Sequence, residues 1–212
     1  MYKGLIFDFG GVVVSNWNAH GEFAAQVARH LHLEPAAAQN VLEAHNADYL
    51  EVEKGKLELK DFFLKIWPEF KTQVALNDTL VRELVIGPIQ ESVQLNENML
   101  ALVNGLKLSG FKTALLSNTI PEHIDYYLHY WPKIFEVFDA IMLSYDLADV
   151  KPSEAVYEKT LATIGVSAQE AVLVDDTPEF VVAAREYGLT AIKFQGYNEL
   201  RAQLNEIGIQ VP

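Results

Sequence analysis

Short apolar runs, each ending in polar residues and separated from the next by a helical pattern, restrict this chain more than any other feature. Leu5 to Phe7, Thr113 to Leu116, Ala171 to Val174 and Thr190 to Phe194 are too short for buried helices and read as strands covered on both faces, with Ala140 to Leu143 a fifth candidate. The helical patterns between them have readable ends. One runs from Asn96 to Leu108 and closes at Gly110, one from Ser153 to Ile164 closes at Gly165, and one opens at Thr177 with Pro178 in its first turn and closes at Gly188. Strand and helix in alternation predict an α/β fold built on a parallel sheet.

Residues from about Trp17 to Ile86 break that rhythm. They offer amphipathic helical segments at Glu22 to Leu31, Pro35 to Asn46, Leu57 to Trp67 and Asn77 to Ile86, and no convincing strand. A helical domain inserted after the first strand accounts for them. The expected division is a core of residues 1–16 and 88–212 with an insertion of 17–87, hinged near Ser15 to Asn18 and Gly87 to Gln90.

Three of the strands hand over to polar residues at their carboxyl ends. Phe7 gives way to Asp8, Leu116 to Ser117 and Asn118, and Val174 to Asp175 and Asp176. In a parallel sheet those ends share one edge, and open α/β folds bind ligands in the crevice there. Gathering three carboxylates is electrostatically costly unless a cation sits among them, and hard oxygen donors with water in the remaining positions suit Mg²⁺. Lys151, in Asp149-Val150-Lys151-Pro152 ahead of a helix, supplies a compact positive charge for a carboxylate or a phosphate oxygen. Singly, each feature has an ordinary explanation: Gly10-Gly11 as a tight turn, Ser117-Asn118 as a turn, Asp176-Thr177-Pro178 as a helix cap, Lys151 as a solvated lysine. Their joint occurrence at strand ends favours a site.

Taken in order, Asp8-Phe9-Gly10-Gly11-Val12, Ser117-Asn118-Thr119, Lys151-Pro152 and Asp175-Asp176 resemble the four motifs of the haloacid dehalogenase-like hydrolase superfamily, over nearly the whole chain. The resemblance implies a Rossmann-like core with a small helical cap, as in sugar-phosphate phosphatases and the phosphatase domain of soluble epoxide hydrolases. It implies Asp8 as a nucleophile that forms an aspartyl-phosphate, Ser117 and Asn118 as groups binding the phosphoryl oxygens, and Lys151 as the residue holding Asp8 and the transferring group. It further implies Mg²⁺ held by Asp8, the Gly10 carbonyl, Asp175 and Asp176, with a small phosphorylated metabolite as substrate.

Two positions depart from the family pattern. Two residues after the nucleophile, phosphatases of the family usually carry an aspartate that protonates the leaving oxygen; here the residue is Gly10. Loss of a general acid costs roughly 10²–10⁴ in rate on a poor leaving group unless a cap residue or a water supplies the proton. Four residues beyond Asp176, Phe180 stands where acidic or amide side chains are frequent. Gly10 lends some weight to a 2-haloacid dehalogenase, since halide departs without a proton, whereas the acidic pair would repel an anionic substrate in the absence of a metal. A catalytically silent relative used for binding would have no need of Asp8, Lys151 and Asp176 together.

Charge and composition narrow the partners. With 16 Lys and Arg against 29 Asp and Glu the formal charge is -13, which opposes nucleic acid and anionic membranes. The absence of cysteine removes disulfides and thiolate chemistry. No stretch approaches the ~20 apolar residues of a membrane span. The start, Met1-Tyr2-Lys3 before Leu5-Ile6-Phe7, reads as a buried strand interrupted by Asp8 and not as a secretion signal, so a cytoplasmic protein is expected. His30-Leu31-His32 falls at a helix end, where cationic side chains favour the dipole. Trp17 and His20 lie where cap residues would reach a substrate, with packing the favoured role for Trp17. Tyr126, Tyr127, Tyr130 and Trp131 make an aromatic helix suited to packing or a partner contact.

Overall fold

The sheet predicted from the apolar runs is present in the computed structural model, which describes residues 1–15 and 19–211. β1 (Gly4–Phe7) is followed by α1 (Ala19–Leu31), α2 (Pro35–Ala44), α3 (Asn46–Glu53), α4 (Leu59–Ile66), α5 (Asp78–Ser92) and α6 (Glu97–Leu108). The sheet then resumes with β2 (Lys112–Ser117), α7 (Pro121–Tyr130), α8 (Lys133–Glu136), β3 (Ala140–Leu143) and α9 (Ser144–Leu147). It closes with α10 (Glu154–Ile164), β4 (Ala171–Asp175), α11 (Pro178–Tyr187), β5 (Thr190–Lys193) and α12 (Tyr197–Glu206). The strands are parallel throughout in the order β3-β2-β1-β4-β5. This is a Rossmann-like arrangement, with β1 at the centre.

Strand alternation divides the core. Leu5, Phe7, Leu115, Val172 and Val174 point to one face, where they pack with Met99, Val103 and Leu106 of α6. Ile6, Ala114, Leu116 and Leu173 point to the other, against Val156, Tyr157 and Leu161 of α10 and Val181 and Ala184 of α11. Both faces are therefore dry, which is why these strands read as continuous apolar runs instead of alternating ones. Helix ends follow their caps: Asn96 accepts from the Met99 amide, Ser153 from the Ala155 amide, and Gly165 and Gly188 close α10 and α11 in the left-handed conformation.

The insertion between β1 and β2 is helical, as expected, and its apolar residues (Phe23, Val27, Phe62, Phe63, Leu84) join the same cluster as the α6 face of the sheet. Two details differ from the expectation. Residues 46–53, which carry no amphipathic signature, form α3. The stretch expected to hinge at Gly87 to Gln90 is continuous helix within α5. There Gly87 serves close approach: a Cβ at that position would collide with the Gln26 side chain of α1. Of the other expected hinge, Asn16, Trp17 and Asn18 lie outside the described residues, as does the side chain of His20. The aromatic helix α7 packs as anticipated, with Tyr127 edge-on to Phe9 at 4.8 Å between centroids and stacked on Trp131. No helix among the described residues is long and apolar enough to cross a membrane.

Candidate active site

β1 delivers Asp8 to the carboxyl edge of the sheet, where the Asp8 amide donates to the Val174 carbonyl at 2.9 Å and so locks the residue beside the end of β4. The chain then turns sharply, with the amides of Val13 and Val14 both donating to the Phe9 carbonyl. Gly11 carries the positive φ of that turn, at 79°; Gly10 does not, and a Cβ on Gly10 would meet no atom within 4 Å.

Lys151 ties the site together. Its Nζ donates to Asp8 Oδ1 and to Asp175 Oδ2, each at 2.7 Å, and its side chain is 1% exposed. The other oxygen of Asp175, Oδ1, accepts from the Thr177 amide at 2.9 Å, so this fully buried carboxylate is held at both ends. Asn118 fixes the lysine's backbone: its Oδ1 accepts from the Lys151 amide at 2.8 Å and its Nδ2 donates to the Lys151 carbonyl at 3.0 Å. Expected as a substrate-binding group, Asn118 thus has its amide engaged at both ends in placing Lys151. Phe180, the departure four residues after Asp176, lies with its ring centroid 4.9 Å from Lys151 Nζ and cushions the buried ammonium from the α11 side. Ser117, nearly buried, ends β2 beside Asn118.

Asp8, Asp175 and Asp176 each place a carboxylate oxygen within 4.8 Å of the others. Three carboxylates against one ammonium leave a formal excess of two negative charges, with Asp8 and Asp175 buried. Burial pushes the Asp8 carboxyl up to about 7 against the opposing pull of Lys151, with the charge of Asp175 adding to the rise. Burial, then Asp175, likewise raises Asp176, which is only partly buried. Burial alone would depress Lys151; the two carboxylates outweigh it and hold the ammonium well above its ordinary range. An oxygen donor set with this excess of negative charge fits a divalent hard cation, which would be held by Asp8, Asp175 and Asp176.

The cluster opens into a cavity of about 690 Å³. Asp8, Gly10, Ser117, Lys151, Asp176 and Glu179 come from the strand-end wall. The other wall is one face of α3, where Asn46, Tyr49, Leu50 and Glu53 recur at the spacing of a single helical stripe. Tyr49 also packs against Phe23 and Phe62, which ties that stripe to α1 and α4. Neither motif nor apolar periodicity marks these α3 residues in the sequence. Of the histidines, His30 ends α1 and bonds the Gln26 carbonyl, in keeping with its reading as a helix-end residue.

The model of the haloacid dehalogenase-like hydrolases matches residues 2–188. The chain belongs to that family. This haloacid dehalogenase-like hydrolase is 24% identical over 212 residues to the D-ribitol-5-phosphate phosphatase of Bacteroides thetaiotaomicron, covering 98% of each chain. Among solved structures it superposes on a predicted hydrolase of the family from Porphyromonas gingivalis with a TM-score of 0.77, at 20% identity, covering 99% of this chain and 100% of that one. A family enzyme from Bacteroides thetaiotaomicron, solved in complex with magnesium and inorganic phosphate, superposes with a TM-score of 0.73 at 20% identity, covering 94% of this chain and 99% of that one.

Proposed function

We propose that this hydrolase is a magnesium-dependent phosphatase of a small phosphorylated metabolite, acting through an aspartyl-phosphate on Asp8. The observation that carries the reading is the Asp8 carboxylate, fixed by Lys151 at 2.7 Å, opening on a cavity large enough for a metabolite and flanked by two further carboxylates. The relative named for D-ribitol 5-phosphate supports a phosphorylated sugar or polyol as the class of substrate. Residues 17–87 act in this reading as the cap over the pocket, with α3 as its working face, and the protein works in the cytoplasm.

Asp8 attacks phosphorus while Lys151 keeps its carboxylate oriented and neutralises part of the charge on the transferring group. Ser117, at the cavity wall, donates to a phosphoryl oxygen. Asn118 acts through Lys151 as a positioning residue. Asp8, Asp176, the Gly10 carbonyl and Asp175 would hold Mg²⁺, which would supply charge neutralisation to the transferring group. Water then cleaves the acyl phosphate and restores the Asp8 carboxylate.

A panel of phosphorylated metabolites assayed with Mg²⁺, beside a halide-release assay and a chelator control, tests the reading. Phosphate release that depends on Mg²⁺ and vanishes in Asp8→Asn is expected. Metal-independent halide release without phosphatase activity would replace it with the dehalogenase, and inactivity in both assays with a non-catalytic role.

A further inference from the structure

Gly10 leaves a proton unaccounted for. If the substrate is a sugar or polyol phosphate, its leaving group is an alkoxide, and expelling an alkoxide unprotonated is slow. In-line displacement places the departing oxygen on the side of phosphorus away from Asp8, and the water of the second step arrives from that same side. A single acid–base group on the cavity wall facing Asp8 therefore serves both steps.

We propose that Glu53, presented by the cavity face of α3, is the general acid and base of this hydrolase, taking the place of the aspartate that Gly10 lacks. The inference rests on the phosphatase reading and adds a catalytic residue to it. The cavity offers few candidates. Among the titratable groups lining it, Asp8 and Lys151 are bonded to one another and Asp176 belongs to the carboxylate cluster. Glu179 follows that cluster in the first turn of α11, on the strand-end wall. Tyr49 is a phenol whose burial, with the charges of Glu53 and Glu122, moves it above its ordinary range, away from useful acidity. Glu53 alone combines the facing wall with a carboxyl group, and among the described residues it has no ion pair and no side-chain hydrogen bond to occupy it. Its partly buried position pushes the carboxyl up to about 7, with Lys151 across the cavity opposing the rise, so that both protonation states are accessible at neutral pH.

The steps balance without any further reactant. An Asp8 oxygen forms a bond to phosphorus as the bond from phosphorus to the leaving oxygen breaks, and the Glu53 carboxyl proton passes to that oxygen to give the free alcohol. The Glu53 carboxylate then takes a proton from water, whose oxygen bonds to phosphorus while the Asp8–phosphorus bond breaks. Inorganic phosphate leaves, and Asp8 and protonated Glu53 are regenerated.

The test is a leaving-group series, from nitrophenyl phosphates to alkyl phosphates, run with Mg²⁺ on the wild type, Glu53→Gln, Glu179→Gln and Glu53→Gln/Gly10→Asp. The wild type should show a shallow dependence on leaving-group pKa. In kcat/KM, which reports the phosphorylation step, Glu53→Gln should lose about 10²-fold or more on alkyl phosphates and stay near normal on nitrophenyl phosphates, whose nitrophenol burst also reports an intact fold, while the slowed second step lowers kcat on every substrate. Glu179→Gln should keep the shallow slope. Since Gly10 has room for a side chain and no positive φ, the double variant should recover alkyl phosphate turnover at least tenfold. An unchanged slope of kcat/KM in Glu53→Gln, an equal loss of kcat/KM on every substrate, or steepening in Glu179→Gln alone overturns this inference and leaves the phosphatase reading standing. A wild type inactive even on nitrophenyl phosphate with Mg²⁺ overturns both.

Discussion

Replacing Lys151 with methionine isolates the energetics of the site from its chemistry. The side chain fits a similar volume, and what disappears is one ammonium that is 1% exposed and makes two charge-assisted hydrogen bonds of 2.7 Å. Hydrogen bonds to charged groups contribute about 1.5–3 kcal/mol each, and removing one partner from a buried ionic cluster costs about 3–5 kcal/mol, because the remaining charges stay buried without compensation. The orphans here are Asp8 and Asp175, whose oxygens lie within 4.8 Å of each other. Metal-free Lys151→Met should therefore unfold in urea with a loss of about 3–5 kcal/mol at pH 8.

The pH dependence has a definite sign. Asp8, already raised to about 7 with the lysine in place, rises further without it. A carboxyl whose folded pKa lies above its unfolded value binds protons preferentially in the native state, so stability falls as pH rises and recovers as pH drops. The deficit should be largest at pH 8 and shrink towards pH 5, and Asp8→Asn in the same background should restore part of it at pH 8. Lys107, whose Nζ bonds the Phe138 carbonyl and pairs with Asp139 nearer the surface, is the control, with an expected cost below about 1 kcal/mol on conversion to methionine. A loss in Lys151→Met no greater than that of the control, or one that deepens on acidification, would refute the account.

Other consequences are simpler to measure. Asp8→Asn should keep the wild-type circular dichroism spectrum and lose essentially all turnover; substantial residual activity removes Asp8 as nucleophile. Chelation should abolish activity and Mg²⁺ restore it, and Asp176→Ala should raise the Mg²⁺ concentration for half-maximal rate more than Glu179→Ala, since only Asp176 belongs to the carboxylate cluster. His123 is buried on α7, and that burial pushes its imidazole down to about 3. A depressed base stabilises the fold above its unfolded pKa and loses that contribution as pH falls from about 6.5 towards 3, at about 1.4 kcal/mol per pH unit. Between pH 7 and 5 the wild type should lose about 2 kcal/mol more than His123→Phe in urea denaturation, and equal losses would show that the histidine titrates freely.

The core of the site was legible because chemistry and topology coincide at strand ends. A buried parallel strand must be apolar on both faces, so the first polar residue after such a run marks the edge of the sheet, and Asp8, Ser117 and the Asp175-Asp176 pair do stand at the ends of β1, β2 and β4. The division of labour within the set was not. Nothing in the sequence separates Asp175, bonded to Lys151 and the Thr177 amide, from Asp176, which faces the cavity. Nor does it distinguish an Asn118 that touches substrate from one that holds the Lys151 backbone at both ends. Such roles depend on which way a side chain points from a loop, and loops carry no periodicity from which to read it.

α3 was missed for a more instructive reason. Amphipathic patterns reveal a helix by contrasting a face that meets the core with a face that meets water. In Asn46–Glu53, Val52 is buried, Asp48 and Glu51 pair with Lys65 and Lys54, and the remaining face of Asn46, Tyr49, Leu50 and Glu53 lines a cavity. This cavity wall mixes apolar and polar residues, so the contrast between faces disappears. The same mixture bears on the chemistry, because a partly buried carboxyl group with no salt-bridge partner has its proton affinity raised towards neutral pH. If Glu53 does the work assigned to it, the loss of an acid at Gly10 and the loss of a readable pattern across residues 46–53 have one origin. Proton transfer would then be supplied by an inserted helix, which only the fold brings to the site, in place of the first strand's turn, where spacing announces it.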